Sequence, residues 1–209
     1  YNTGVGYNVL KSNTCGACNT ASGYAAMRQN TTGCRNVAVG SAALLSNTTG
    51  NYNTASGHYA LGLNTTGAKN TATGYDVLKC NTTGTLNTAS GMYALRNNTT
   101  GSCNVSIGDC AGPNTAAIRN TVAIGAGVAT AATNDFILGN TSHVLNIPSA
   151  KLKIGGSAGS NGQVLTTDGA GGVSWTTTSF TGTGTVSLST CQNTSAGSAA
   201  GSSLDTTAA

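Results

Sequence analysis

A 17-residue repeat constrains the fold of this chain more than any other feature. Glycine recurs at that interval, at Gly6, Gly23, Gly40, Gly57, Gly74, Gly91, Gly108 and Gly125. Four residues before these glycines stands an asparagine, at Asn2, Asn19, Asn36, Asn53, Asn70, Asn87 and Asn104. Four residues after them comes a large apolar residue, at Leu10, Met27, Leu44, Leu61, Leu78 and Leu95. Columns that keep their register over six or more units predict a stack of equivalent units.

Each unit reads approximately N-T-A-S-G-Y-x-A-L-x-x-N-T-T-G-x-x. Before the first glycine the residues alternate, as in Val37 and Val39 with Ala38 between them, and a period of two predicts a strand. The second asparagine-to-glycine segment predicts another short strand. Glycine suits corners that need a positive φ or a close backbone approach, and asparagine side chains close turns. We therefore expect an all-β parallel β-solenoid, or β-roll, with two strands and two corners per coil.

The composition excludes a conventional globular core. Charged residues make up 7% of the 209 residues and aromatic residues 5%, and the apolar fraction of 38% is mostly Ala and Val. These small side chains bury little area each, so a thin stacked architecture is favoured. With a spacing of about 4.8 Å between coils, eight coils would span on the order of 40 Å.

The inner face of one coil, expected to carry mostly Thr, Ser, Ala and Val, offers little apolar area to bury. We therefore predict that chains associate around a common axis, most simply as a homotrimer. Either the Leu column or the Val/Ala column is expected to form the interface between chains.

Three segments resemble the head repeats of trimeric autotransporter adhesins. They are Asn36-Val-Ala-Val-Gly40, Asn104-Val-Ser-Ile-Gly108 and Val122-Ala-Ile-Gly125. The resemblance implies left-handed parallel β-rolls assembled as trimers. The family's usual repeat is shorter than this one, at fourteen residues, and the step from Gly125 to Gly139 has that shorter length. One repeat of the family's length is therefore expected to close the array.

A second resemblance lies in the C-terminal part of the chain. Ile137-Leu-Gly-Asn-Thr-Ser-His-Val-Leu-Asn-Ile-Pro148 and Gly162-Gln-Val-Leu-Thr-Thr-Asp-Gly-Ala-Gly-Gly-Val-Ser-Trp175 look like a module of bacteriophage tail fibres, cyanophage fibres included. Gly182-Thr-Gly-Thr-Val-Ser-Leu-Ser-Thr190 is similar to another sequence motif of phage fibres. This resemblance implies a structural protein of a virion.

We divide the chain into four parts. Residues 1–125 form the repeat β-roll, 126–150 a transition or closing repeat, 151–180 a β-hairpin module, and 181–209 a linker or extended strand. The hairpin is predicted from two β runs, Val164-Leu165 and Val173-Ser174-Trp175, separated by turn residues. Because the chain opens at Tyr1 without Met or a signal-like segment, we interpret it as part of a longer protein.

No catalytic site, metal site or cofactor is predicted. His58 is interpreted as an exposed surface residue without a catalytic role, and His143 as a residue with a structural or polar role. Cys15 and Cys18 have C-x-x-C spacing, but no second pair stands at metal-ligand spacing, and Asp is too rare in the repeat for a calcium-binding β-roll. No basic stripe indicates nucleic-acid binding, and no apolar run of about 20 residues indicates a membrane span.

Two further features of the repeat have alternative explanations. Cys18 and Cys34 fall in adjacent columns of successive coils and are candidates for a bridge, whereas most other cysteines are expected to be small buried fillers. Glycosylation sequons recur at Asn30, Asn47, Asn64, Asn81 and Asn98. Their phase with the repeat favours a structural role in turns over glycosylation.

The tyrosines are the candidates for surface recognition: Tyr7, Tyr24, Tyr59, Tyr75 and Tyr93. Exposed aromatic rings supply contact area at low entropic cost and stack on sugar rings. The alternative is that these rings pack over the glycines of adjacent coils.

The favoured hypothesis is a non-enzymatic segment of a phage or virus tail fibre, a rigid trimeric spacer that contributes to host attachment. Its expected partners are other copies of itself, other fibre or tail proteins, and a host-surface glycan or protein. The alternative is a bacterial trimeric adhesin at the cell surface. A third hypothesis, an ice-binding solenoid, rests on the column of Thr31, Thr48, Thr65, Thr82 and Thr99.

Overall fold

The computed structural model describes residues 1–113, 115–130, 132–140 and 142, and two strand segments at 163–167 and 173–177. These residues contain β-strands and turns and no helix. One strand falls in each coil: β1 Thr3–Val5, β2 Thr20–Ser22, β3 Val37–Val39, β4 Thr54–Ser56, β5 Thr71–Thr73, β6 Thr88–Ser90, β7 Val105–Ile107, β8 Val122–Ile124 and β9 Phe136–Leu138. All nine pair in chain order in one parallel sheet, as expected of a β-solenoid.

Equivalent residues of successive coils lie directly over one another. Val37 of β3 pairs with Thr54 of β4, its equivalent in the next repeat. A Cβ placed on Gly40 would lie 2.5 Å from the carbonyl oxygen of Gly57, and both glycines have φ near 130°. Only glycine tolerates this φ and this approach together. The predicted stack with a 17-residue period is confirmed.

The last step of the sheet is shorter than the others. Val122 of β8 pairs with Phe136 of β9, so the chain returns to the same register earlier than in the preceding coils. This agrees with the shorter repeat predicted from Gly125 and Gly139. Residues 1–146 cluster as one compact unit that includes this coil.

The second predicted strand of each coil is wrong. In the Asn-Thr-Thr-Gly segment the backbone N–H groups of Thr31, Thr32 and Gly33 all donate to the carbonyl of Thr48, at 3.0, 3.1 and 3.2 Å. A strand alternates its donors between successive partners, whereas here three donors converge on one acceptor. The segment is therefore a tight corner, and each coil has a single strand.

The apolar core is narrow, with three buried side chains per coil, and its orientation differs from the prediction. The enclosed residues are the alanine in the middle of most strands, such as Ala38, and the pair Ala43 and Leu44, with the same pattern in the neighbouring coils. Val37 and Val39 face outward, 39% and 45% exposed. The inner face is therefore Ala, Leu and Asn. The Leu column lies inside its own coil and cannot form an interface.

In each of the first six coils, three residues other than glycine adopt a left-handed backbone. In the third coil they are Ala42, Leu44 and Tyr52, with φ of 57°, 49° and 58°. This conformation costs an L-residue on the order of 1 kcal/mol. At Leu44 it accompanies complete burial of the side chain, so burial of that side chain offsets the strain.

Two columns of asparagines run along the stack, and they are buried from Asn19 and Asn30 onward. The first Asn ladder comprises Asn2, Asn19, Asn36, Asn53, Asn70, Asn87 and Asn104, and the second comprises Asn13, Asn30, Asn47, Asn64, Asn81 and Asn98. In the first, Asn36 donates its backbone N–H and its Nδ2 to Asn19 Oδ1, at 3.0 and 3.1 Å. In the second, Asn47 Nδ2 donates to Asn30 Oδ1 at 2.8 Å. Each asparagine after the first in its ladder is thereby bonded to the coil before it, through its backbone N–H, its Nδ2 or both.

The two ladders meet at the second glycine of each coil. The carbonyl of Gly50 accepts Asn36 Nδ2 at 2.9 Å and Asn47 Nδ2 at 3.1 Å. A Cβ on Gly50 would collide with Asn47 Oδ1 and with the carbonyl oxygen of Gly67. Glycine is therefore required here for space, because no side chain fits between the amide and the next coil.

The ladders end where the repeat becomes irregular. Thr121 replaces asparagine in the first ladder, and its backbone N–H and Oγ1 both donate to Asn104 Oδ1, at 3.1 and 2.9 Å. In the second ladder Thr115 occupies the next place, and Asn98 Oδ1 is buried without a hydrogen-bond partner. One ladder is closed by a hydroxyl and the other ends on an unsatisfied oxygen.

A second compact unit covers residues 147–209. Within it β10 Gln163–Thr167 pairs with β11 Val173–Thr177 in an antiparallel register, with Leu165 opposite Trp175. The remainder of the predicted hairpin module and the predicted linker at 181–209 lie outside the described residues. In the described part of the chain, no helix has the length and apolar character needed to cross a membrane.

Replacing Asn64 with alanine is expected to lower the free energy of unfolding by about 2–4 kcal/mol, because buried groups left without partners cost about 1–3 kcal/mol each. The change removes the bonds to Asn47 Oδ1 and the Gly67 carbonyl and leaves Asn81 Nδ2 without its acceptor in the ladder. Denaturant unfolding, with amide hydrogen exchange to localise the effect, measures this difference.

The matched control is Thr66→Ala at the same corner, since Thr66 is exposed. A surface change of this kind is expected to stay within about 0.5 kcal/mol of the parent. Equal stabilities of Asn64→Ala and Thr66→Ala would show that the second Asn ladder contributes nothing.

Candidate recognition surface

In four of the first five repeats, the residue directly after the first glycine carries a ring at the coil surface. We call Tyr7, Tyr24, Ser41, His58 and Tyr75 the aromatic column. Tyr7 and Tyr24 stack with ring centroids 5.5 Å apart and an interplanar angle of 16°. His58 and Tyr75 stack at 5.0 Å and 10°. These distances follow from the spacing of about 4.8 Å between paired strands.

A neighbouring position adds two more rings beside the aromatic column. Tyr59 meets His58 edge-on at 4.9 Å, and Tyr93 meets Tyr75 edge-on at 5.6 Å. The five tyrosines predicted for recognition are thus divided into the stacked pair Tyr7–Tyr24 and a cluster around His58. His58, predicted to be an exposed surface residue, connects the rings of this cluster.

Asp76 forms the electrostatic centre of the same cluster. Its side chain is only 4% exposed, and its carboxylate lies 2.8 Å from Lys79 Nζ, 3.8 Å from Arg96 and 3.7 Å from His58 Nδ1. The hydrogen bond to this carboxylate raises the pKa of Lys79 above its usual value. Oδ1 of Asp76 is buried and accepts no hydrogen bond. The sequence analysis missed Asp76 because that column varies from coil to coil.

The two cations of the cluster also cover rings. Lys79 Nζ lies 4.9 Å from the centroid of Tyr59, and the Arg96 guanidinium lies 4.8 Å from that of Tyr93. Cation–π contacts of this length are stabilising. Ring faces that cations or other rings already cover are not free to stack on a ligand.

A shallow depression of about 180 Å³ lies beside this cluster. Its lining includes Tyr93, Arg96, Cys110 and Pro113. Cys110 Sγ donates to Asp109 Oδ1 at 3.4 Å, which raises the pKa of the thiol and disfavours the nucleophilic thiolate. Among the described residues, no group of three or more His, Cys, Asp or Glu side chains could hold a metal ion.

The cysteine predictions are wrong on two points. Cys18 and Cys34 are free thiols, as are the four other cysteines in the described residues. Cys34 Sγ instead accepts the backbone N–H of Ala17 and donates to the carbonyl of Thr32, at 3.3 and 3.2 Å. None of these six cysteines is buried, because their columns face outward. Cys191 lies outside the described residues.

The sequon and threonine columns also take part in the stack. The sequon asparagines are fully buried and their Nδ2 atoms are bonded within the second Asn ladder, so the folded coil exposes no amide to a glycan. In the threonine column proposed for ice binding, Thr31 Oγ1 donates to the Thr48 carbonyl at 2.9 Å, and its neighbours repeat this bond. These hydroxyls are therefore engaged by the backbone.

Comparisons of this chain with protein-family models, with curated proteins and with solved structures found no match.

Replacing Asp76 with asparagine is expected to lower the pKa of Lys79 toward its ordinary value, because the neutral amide no longer favours the charged ammonium. An NMR titration of the Lys79 side chain measures this change directly. Asp109→Asn serves as the control, since it removes an exposed carboxylate outside the contacts of Lys79. An unchanged Lys79 titration in Asp76→Asn would contradict the assigned ion pair.

Proposed function

We propose that this chain is a rigid spacer segment of a surface fibre. The favoured hypothesis is that this fibre is the tail fibre of a phage or virus. The observation that carries the proposal is the uninterrupted register of nine parallel strands, each directly over the last. Eight steps of about 4.8 Å give a stack roughly 40 Å long. Its mechanism is mechanical: the stack holds a receptor-binding part of the fibre away from the particle.

Rigidity follows from the number of bonds between adjacent coils. Between the third and fourth coils the backbone pairs along β3 and β4. The backbone N–H of Asn53 also donates to Asn36 Oδ1, and Asn64 Nδ2 donates to Asn47 Oδ1. Each coil contacts only its neighbours, so such bonds add up along the axis. A spacer needs this axial continuity and no chemical site.

The outward face of the strands is the surface that we assign to association between chains. It carries exposed apolar side chains at Val5, Val37, Val39, Ile107, Phe136 and Leu138. The same face carries Thr and Ser in β4, β5 and β6, so the apolar side chains alternate with hydroxyl groups along the stack. Exposed apolar side chains on one face of a protein favour contact with a partner. We propose that three copies pack through this face. The number three derives from the resemblance to trimeric adhesin heads.

Changing both Val39 and Ile107 to Asp is expected to dissociate the trimer, because the new charges would be buried without partners at the interface. Light scattering coupled to gel filtration measures the mass of the parent and of the variant. The control adds the same two charges at exposed corners, as Thr66→Asp with Thr83→Asp. A monomeric parent contradicts the trimer, and a trimeric Val39→Asp, Ile107→Asp variant contradicts this interface.

The second candidate is that the segment belongs to a bacterial trimeric surface adhesin. The observation that favours it is the closing coil, in which Val122 and Phe136 pair after a shortened repeat of the length typical of that family. A membrane-anchor domain at the C-terminus of the full gene would select the adhesin. A virion-attachment domain at the N-terminus would select the fibre.

Antibodies raised against residues 1–142, used as labels in electron microscopy, distinguish a tail fibre from a bacterial adhesin. Labelling along the fibres of virus particles is the result we expect. Labelling of a bacterial envelope that carries no virus would replace the tail fibre with the adhesin. Labelling of neither structure, with the protein detected in soluble extracts, would contradict both assignments.

A further inference from the structure

The aromatic column is interrupted at one coil. Successive coils place Tyr7, Tyr24, Ser41, His58 and Tyr75 after the stacked glycine. Tyr7 covers one face of Tyr24, and Tyr75 covers one face of His58. The coil between Tyr24 and His58 contributes no ring, because its residue is Ser41.

The backbone passes through this coil without a change of register. The N–H of Ala42 donates to the carbonyl of Tyr24 at 2.8 Å, and the N–H of Tyr59 donates to the carbonyl of Ser41 at 3.0 Å. Tyr24 and His58 are therefore two coil steps apart, or roughly 9.6 Å along the axis. One inserted ring would lie about 4.8 Å from each of them. That spacing is close to the centroid distances of 5.5 and 5.0 Å within the two stacked pairs.

The groups around this gap indicate what would fill it. Its two walls are the outward-projecting rings of Tyr24 and His58, and its floor is the small hydroxyl side chain of Ser41, which is partly exposed. A pyranose ring presents C–H groups to an aromatic face and hydroxyls at its edge. Ser41 and the imidazole can both donate and accept hydrogen bonds to such hydroxyls. Aromatic walls with a few polar groups are typical of small-ligand sites.

The cluster around Asp76 is a poorer site for the same ligand. Lys79 and Arg96 already lie over the rings of Tyr59 and Tyr93. The Ser41 gap has rings on both sides. In the described part of the chain the cation–π contacts are made to Tyr52, Tyr59 and Tyr93, and none is made to Tyr24 or His58.

We propose that the gap at Ser41, between Tyr24 and His58, is a subsite for one pyranose ring of a surface glycan. The proposal goes beyond the proposed spacer role, because it adds the binding of a glycan to the surface of the stack. The inserted ring would complete a stack of five rings along the coil surface. A single ring held mainly by stacking is expected to bind with a dissociation constant of about 1 mM.

The full chain is titrated by NMR with soluble pyranosides: cellotetraose, chitotetraose, a galactoside oligomer and a glucuronic acid oligomer. We expect at least one to shift the ring protons of Tyr24 and His58 together, with saturation transfer to the C–H groups of one sugar ring. No shift of either residue with any of the four at about 50 mM would overturn the proposal.

Ser41→Tyr is the decisive variant, because its own ring would fill the gap and complete the column. It is expected to fold, with a melting temperature no lower than that of the parent, and to weaken sugar binding by about tenfold or more. Ala126→Tyr is the matched control: it adds the same ring in the same column position at an exposed residue several coils away, and binding should be unchanged. Equal binding by Ser41→Tyr and the parent would overturn the site.

A second variant and a second ligand test the site independently of Ser41→Tyr. Tyr24→Ala removes one wall and should weaken binding by a similar factor, which confirms the site even if Ser41→Tyr fails to fold. A tyrosine-containing peptide that binds in the gap when all four sugars do not would replace the glycan with an aromatic protein partner, and would overturn the proposal. The oligomer and labelling experiments do not depend on this gap, so its failure would leave the spacer assignment intact.

Discussion

In each of the first six coils one glycine carbonyl accepts two asparagine side chains, and the rest of the solenoid depends on that junction. The apolar core of a coil is little more than Leu44, Ala38 and Ala43, too small to define a unique register by packing alone. The buried amides supply the missing specificity, because a shifted coil would leave the fully buried Asn36 and Asn47 without partners. Gly50 is needed at the junction because any side chain would occupy the space of an amide.

The junction also determines what the surface can do. Because the interior amides hold every coil over the one before it, each exposed column becomes a line of side chains at nearly constant spacing. The stacked pairs Tyr7–Tyr24 and His58–Tyr75 are a direct consequence. The contact of Asp76 with Arg96, which lies one coil further along, is another. Recognition elements therefore arise from substitutions in single coils without any change to the backbone.

The stacking of the coils could be predicted from the sequence. Which side chains are buried inside a coil and which are exposed could not. The spacing of Gly40 and Gly57 defines the period, and a period requires stacking. Alternation at Val37, Ala38 and Val39 defines two faces of a strand but not which one is enclosed. The tight interior selects Ala38, and the larger valines are left outside. Leu44 could not be anticipated as an inner residue, since its enclosure depends on a left-handed backbone that L-residues usually avoid.

The surface residues missed by the sequence analysis lie in columns whose residue varies from coil to coil. Asp76 stands where earlier coils carry Ala25 and Ala42, and Ser41 stands where its neighbours carry rings. Interior columns tolerate almost no substitution, because interior asparagines are hydrogen-bonded to the coils on both sides of them. Exposed columns lack this constraint, so an isolated change there costs the fold little and alters only the local chemistry. In a solenoid of this kind the repeat therefore encodes the scaffold, and its exposed exceptions are the places where binding can be specified.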